Sequence, residues 1–198
     1  MAKKTLELLN DGKNRCGWCN KSVLYQRYHD EEWGRALHDE HKHFEFLLLE
    51  TMQAGLSWYT ILQRREGYRN AFANFNVVEV AKFDQSKIEE LMLNTAIIRN
   101  RLKIEAAVHN AKLFIQIQQE HGSFDNYIWG FTDNQVIDNC WASLSQVPAT
   151  SELSDRVAKD LKTRGFKFVG STTIYAHLQA IGVINDHLVD CWVNLSRS

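Results

Sequence analysis

Cys16 and His29, near one end of the chain, and His187 and Cys191, near the other, offer two thiolates and two imidazoles. Those four donors make a complete tetrahedral set for zinc. If they converge, a single ion ties the first 30 residues to the last dozen. His187 and Cys191 are four apart, so on a helix they would share one face. No zinc-finger spacing is matched in sequence order, and Cys16 with Cys19 also forms a two-thiol half-site. Spacing therefore leaves open which residues ligate, and whether these are simply buried thiols and imidazoles.

Two other groupings could do chemistry. Trp18, Tyr25, Tyr28, Trp33 and Trp58 cluster in sequence around Cys16 and His29. Tyr and Trp together can form a slot for a flat ring, although any one of them is more often core. Glu50 stands among Phe46, Leu47, Leu48, Leu49 and Met52, and at helical spacing it shares a face with Gln53. A carboxylate and an amide beside Trp58 fit a polar anchor in an apolar pocket; the plainer reading is a partly exposed salt-bridge residue. Cations gather at Arg99, Arg101 and Lys103, and again at Lys162, Arg164 and Lys167. Backbone N–H groups and positive charge at a helix start suit phosphate, whereas a solvated basic face is the commoner meaning of a short charge run.

The elements that must position these residues are predicted to be helices. Asp39 is a capping residue for a helix reaching Ala54, with Gly55 as its stop. Further helices are expected over Trp58 to Arg65, Ser86 to Leu93 and Arg101 to Gln119, the last carrying an apolar stripe of Ile104, Val108, Ala111 and Ile115. Ser154 should cap Asp155 to Arg164, and Gly170-Ser171 should open a helix to Ile181. The turn from Asn94 to Asn100 joins two of these helices. Period-2 alternation is absent. Residues 1–15 read as a flexible polar N-terminal extension with a turn at Asp11-Gly12, followed by a single domain over 16–198.

Composition sets the frame. The 198 residues carry 44% apolar side chains, one proline and a net charge of −1, which suits a globular domain able to bury a sizeable core. Met1 to Leu6 lacks the apolar stretch of a signal peptide, and no apolar run approaches the roughly 20 residues of a bilayer span. A cytoplasmic monomer with no membrane partner is expected. Four cysteines in that setting favour metal or free thiol over disulfide. Any surface for nucleic acid must be made by segregating lysines and arginines.

Several blocks together resemble a known family. They are Cys16-Gly17-Trp18, Tyr28-His29-Asp30-Glu31-Glu32-Trp33-Gly34, Glu50-Thr51-Met52-Gln53-Ala54-Gly55-Leu56-Ser57-Trp58, Arg164-Gly165-Phe166-Lys167-Phe168-Val169-Gly170 and Asn185-Asp186-His187. In order and content they resemble the 3-methyladenine DNA glycosylase I family, over about residues 15 to 192. The resemblance implies an all-α, two-lobed fold of the helix-hairpin-helix glycosylase superfamily. One structural zinc would join the chain ends through Cys16, His29, His187 and Cys191, with His29 rather than Cys19 as the second ligand. The implied activity is base-excision repair of double-stranded DNA carrying alkylated bases: 3-methyladenine is flipped out and its N-glycosidic bond hydrolysed, without strand cleavage.

Residue by residue, Glu50 would anchor the base as the catalytic carboxylate, and Trp18, Tyr25, Tyr28, Gln53 and Trp58 would line its pocket. Leu56 would wedge into the vacated stack, while Arg99, Arg101, Lys103 and Lys167 meet DNA. Asp30 or Asp186 is placed to assist water. Ala96 and Leu102 stand where the family usually has glycine, which bears on how closely phosphate can approach the hairpin. Three other readings have definite discriminators. A glycosylase of wider range would accept 3-methylguanine, a DNA-binding module without catalysis would release no base, and a zinc hydrolase would carry an exchangeable metal-bound water.

Overall fold

A computed structural model describes residues 8–195. The first seven residues of the expected extension lie outside the described residues. Eleven α-helices are present among them: α1 Val23–Glu31, α2 Glu40–Gln53, α3 Trp58–Leu62, α4 Arg65–Ala71, α5 Val77–Ala81, α6 Gln85–Leu93, α7 Arg101–His121, α8 Phe124–Trp129, α9 Glu152–Thr163, α10 Ser171–Ala180 and α11 Trp192–Leu195. Two two-residue strands, β1 Ile137–Asp138 and β2 Ile184–Asn185, pair in parallel. The protein is mainly helical, as expected; no helix among the described residues is long and apolar enough to cross a membrane.

Local chemistry accounts for most boundaries. Ser22, Asp39, Ser57, Asn76, Asp84, Asn100 and Ser123 each accept a backbone N–H at a helix start, Asn76 accepting two, so at least one orphan donor is satisfied in each of these helices. Gly55 and Gly122 follow α2 and α7 with positive φ. α2 is the central element: ten of its fourteen residues are buried, and α3, α7, α8 and α10 pack on it. α5 lies on α7, and α9 on α10.

Four expectations are corrected. The helix foreseen from Trp58 to Arg65 is two helices, broken at Gln63 and Arg64. α9 starts at Glu152 because Ser151 is its cap; Ser154 returns a bond to the Ser151 N–H as the other half of a capping box. α1, α5, α8 and α11 were not foreseen. His187 and Cys191 do not sit on a helix: they lie in the turn between β2 and α11.

Residues 11–15 are fastened to the domain. Arg15 is buried between Asp11 at 2.6 Å and Asp30 at 2.8 Å, and the Asn14 carbonyl accepts the Trp192 N–H at 2.9 Å. The C-terminal end of α10 is locked to residues 34–37 by two backbone bonds, Gly34 N–H to Gln179 and Leu37 N–H to Ile181. Gly182 makes this possible: its φ is +72°, and an added Cβ would stand 2.2 Å from the Arg35 carbonyl carbon. Backbone cannot yield as a side chain can. Gly182→Ala should therefore lower stability by about 3 kcal/mol or more, read as a falling denaturation midpoint at unchanged helical circular dichroism. A midpoint within error of wild type would refute this packing.

Candidate functional site

The four donors named at the outset converge. The ligating atoms of Cys16, His29, His187 and Cys191 all lie within 4.8 Å of one another, and all four residues are buried. Cys16 Sγ is 3.7 Å from His187 Nδ1, and Cys191 Sγ is 3.5 Å from both His29 Nε2 and His187 Nδ1. Atoms bound to one tetrahedral ion at about 2.0 Å for nitrogen and 2.3 Å for sulfur stand roughly 3.4–3.8 Å apart, so the spacing fits. The outer ring atoms are also occupied: His29 Nδ1 meets Asp30 Oδ1 at 2.8 Å, and His187 Nε2 meets the Trp33 carbonyl at 3.1 Å. That pattern fixes the tautomer and orientation of a metal-binding imidazole. A hydrogen bond between the two thiols pushes Cys16 up and holds Cys191 down. Cys19 is excluded from the group; its thiol donates to the Cys16 carbonyl at 3.1 Å.

Beside this cluster is a cavity of about 400 Å³, walled by Trp18, Tyr25, Tyr28 and Trp33 from the N-terminal segment and by Glu50, Gln53 and Trp58 from α2 and α3. The volume falls in the range of small-molecule sites. Trp18 packs 4.9 Å from both Tyr25 and Trp33, and Tyr28 lies 5.4 Å from Trp58. Glu50 is 3% exposed, and no described residue hydrogen-bonds its carboxyl. Burial alone pushes its pKa up to about 8. Burial also pushes Tyr25 up to about 12 and Tyr28 well above its ordinary value, and Glu50 adds to both. The Trp58 indole N–H is buried without an acceptor among the described residues. Among the described residues the pocket thus combines closely packed, mutually tilted rings with an unpaired acid and an unpaired donor. The Gln53 amide lines it, but its N–H reaches back to the Leu56 carbonyl.

The other wall was not foreseen. It comes from α10 through Thr172, Ala176 and Gln179, and from Leu144 and Val147. These residues carry no spacing signal of their own, and only the fold brings them opposite α2. Asp186 also lines the cavity. Its carboxylate accepts four bonds, from Asn139, Trp141, Tyr175 and Gln179, at 2.6–2.8 Å. Asp30, the other carboxylate considered for water, serves His29 and Arg15 instead.

The cations divide. Arg99 and Lys167 are exposed with no ion-pair partner among the described residues. Arg101 is held by Glu89 in a bidentate pair at 2.6 and 2.8 Å. Lys103 is corrected as a contact for phosphate: it is buried, and its ammonium donates to the Met52 carbonyl at 2.8 Å and to the Ala54 carbonyl. It caps the C-terminal end of α2, and burial lowers its pKa. Leu56, in the turn just beyond, is exposed. The α6–α7 turn needs no glycine at Ala96 or Leu102, because neither has positive φ. Room for Ala96 comes from Gly67, where a Cβ would meet the Ala96 carbonyl oxygen at 2.4 Å.

Comparison with known proteins gives a consistent answer. The family model described as methyladenine glycosylase matches residues 18–194. DNA-3-methyladenine glycosylase 1 of Escherichia coli K12 is 44% identical over 177 residues, covering 89% of this chain and 95% of the relative. A crystal structure of 3-methyladenine DNA glycosylase I superposes with a TM-score of 0.88 at 44% identity, covering 90% of this chain and 98% of the other. The Staphylococcus aureus 3-methyladenine DNA glycosylase I, solved to show how 3-methyladenine is recognised, has a TM-score of 0.88 at 36% identity and covers 92% of this chain and 97% of its own.

Proposed function

The chain belongs to the methyladenine glycosylase family, and from that premise we propose how its pocket does the work. The protein is a 3-methyladenine DNA glycosylase of base-excision repair. The observation that carries the reading of the site is Glu50: a buried acid with no hydrogen-bond partner among the described residues, facing a cavity walled by indole and phenol rings.

In DNA, 3-methyladenine bears a positive charge on its ring, and its glycosidic bond is already weak. Extruding it costs a few kcal/mol, less for a damaged base. Inside the pocket the faces of Trp18, Tyr28 and Trp58 attract the cation by about 0.5–2 kcal/mol. Glu50 supplies the larger discrimination. Burial keeps it protonated in the free protein at neutral pH; an arriving cation makes the carboxylate favourable, and the acid proton leaves to solvent. Neutral adenine brings no such charge and would leave either a protonated acid or an uncompensated buried anion.

When the C1′–N9 bond breaks, its electron pair neutralises the base, and the sugar cation is captured by water. Among the described residues no lysine lines the cavity, and the Lys103 amine is tied to carbonyls, which supports hydrolysis without strand cleavage. Asp186 faces the cavity with both oxygens committed to donors.

Cys16, His29, His187 and Cys191 would hold one zinc ion, on the strength of their spacing, burial and outer hydrogen bonds. Four protein donors leave no open position, so the ion's contribution is a structural cross-link. The helix–turn–helix of α6 and α7 is the hairpin that faces double-stranded DNA, with Arg99 and Lys167 meeting phosphates. Arg99→Ala and Lys167→Ala should each weaken duplex binding regardless of sequence and reduce the slope of log affinity against log salt by about 1. Arg101→Ala should do less, since Glu89 already neutralises it. Binding isotherms across a salt series decide the assignment; unchanged slopes in both variants would remove these two residues from the interface.

A further inference from the structure

We propose that Phe168 is a second apolar contact to duplex DNA, acting beside Leu56 on the base left unpaired when its partner is extruded; the proposal rests on the glycosylase reading above. Phe168 has a φ of +57°, a left-handed conformation that is strained for a bulky side chain and that glycine would adopt freely. The strain is imposed from both sides. Asn110, buried in α7, brackets the preceding residue: its amide donates to the Lys167 carbonyl at 3.0 Å and its oxygen accepts the Lys167 N–H at 2.9 Å. Phe166 and Val169 are both sunk in the core. Between these anchors the chain has no slack, and the Phe168 ring is held outward, 37% exposed. A ring needed only for packing would not be placed this way.

Its position relates it to the pocket. The ring centroid is 6.0 Å from Lys103 Nζ, the ammonium that caps α2 through the Met52 and Ala54 carbonyls. The next exposed apolar side chain along that turn is Leu56, between the pocket residues Gln53 and Trp58. Phe168 and Leu56 therefore flank one capped turn at the edge of the cavity. On its other side the ring borders a hollow of about 290 Å³ with Leu102, itself 68% exposed, and with Lys167. Exposed apolar side chains with an unpaired lysine alongside suit a base step flanked by phosphate: the ring takes the base face and the cation the backbone.

The test uses the full chain. Phe168→Gly removes the ring and relaxes the backbone, so the melting temperature should stay level or rise. Binding of free 3-methyladenine, followed by tryptophan fluorescence, should be unchanged. Single-turnover release of 3-methyladenine from methylated duplex should fall about tenfold, while release from methylated single strands, where no stack must be opened, should change by less than twofold. Phe168→Tyr should restore the duplex rate. The proposal is overturned if the duplex rate of Phe168→Gly matches wild type, or if duplex and single-strand rates fall together. Wild-type protein that releases no base from either substrate would instead remove the glycosylase reading itself.

Discussion

Glu50→Gln should lower kcat/KM for release of 3-methyladenine from methylated duplex by about a hundredfold at pH 8, with the fold intact. Hydrogen bonds to charged groups are worth about 1.5–3 kcal/mol, and here one is made to a carboxyl that is 3% exposed. The wild-type pH profile carries a second signature. The productive free enzyme has Glu50 ionised, and burial places that ionisation at about pH 8. kcat/KM reports ionisations of the free enzyme, so it should rise about tenfold per pH unit below 8 and level off above it, whereas the variant should lack this limb. Stability should move the opposite way. An acid whose pKa is raised from 4.5 to about 8 on folding costs nothing below pH 4.5, progressively destabilises the native state as pH rises to 8, and costs a constant amount beyond, on the order of 5 kcal/mol. Glu50→Gln should therefore resist denaturant better than wild type at pH 9 and equally at pH 4. Equal excision rates for the two proteins would discard Glu50 as the anchor; a flat wild-type pH profile would show that its charge is not what recognises the base.

The second large effect concerns the cluster that joins the chain ends. His29→Ala and Cys191→Ala should lose bound zinc and unfold at ambient temperature, since structural zinc sites carry roughly 10 kcal/mol or more of folding free energy. Cys19→Ala, which loses only a thiol donating to a carbonyl, should keep one zinc per chain and most of its stability. Elemental analysis alongside thermal melts separates the cases. Zinc lost from Cys19→Ala but retained by His29→Ala would refute the assignment of ligands.

Legibility followed the range of the interactions involved. Asp39 with Gly55, the apolar stripe of Ile104, Val108, Ala111 and Ile115, and Glu50 among its apolar neighbours are readable because caps, stops and helical faces are decided within a few residues. His187 and Cys191 do converge with Cys16 and His29, but not through the helical face that their spacing suggested: a turn after β2 delivers them. Lys103 was misread because a lysine at a helix start looks alike whether it faces solvent or a neighbouring helix end. Gln179, Thr172 and Ala176 could not be foreseen, since their role exists only once α10 lies opposite α2. The left-handed backbone of Phe168 had no signal at all, because the residue type argues against it.

The distance along the chain between the clustered ligands has a kinetic side. Cys16 and His187 are separated by 171 residues, far beyond the local contacts that let helical proteins fold quickly. Closing so long a loop requires a search whose entropy grows with its length, and an ion held by one end in the unfolded chain does little to shorten it. The lock between residues 34–37 and α10 imposes the same late meeting. Helices of this protein can form early, but the wall of the pocket opposite Glu50 waits for the slowest encounter in the chain.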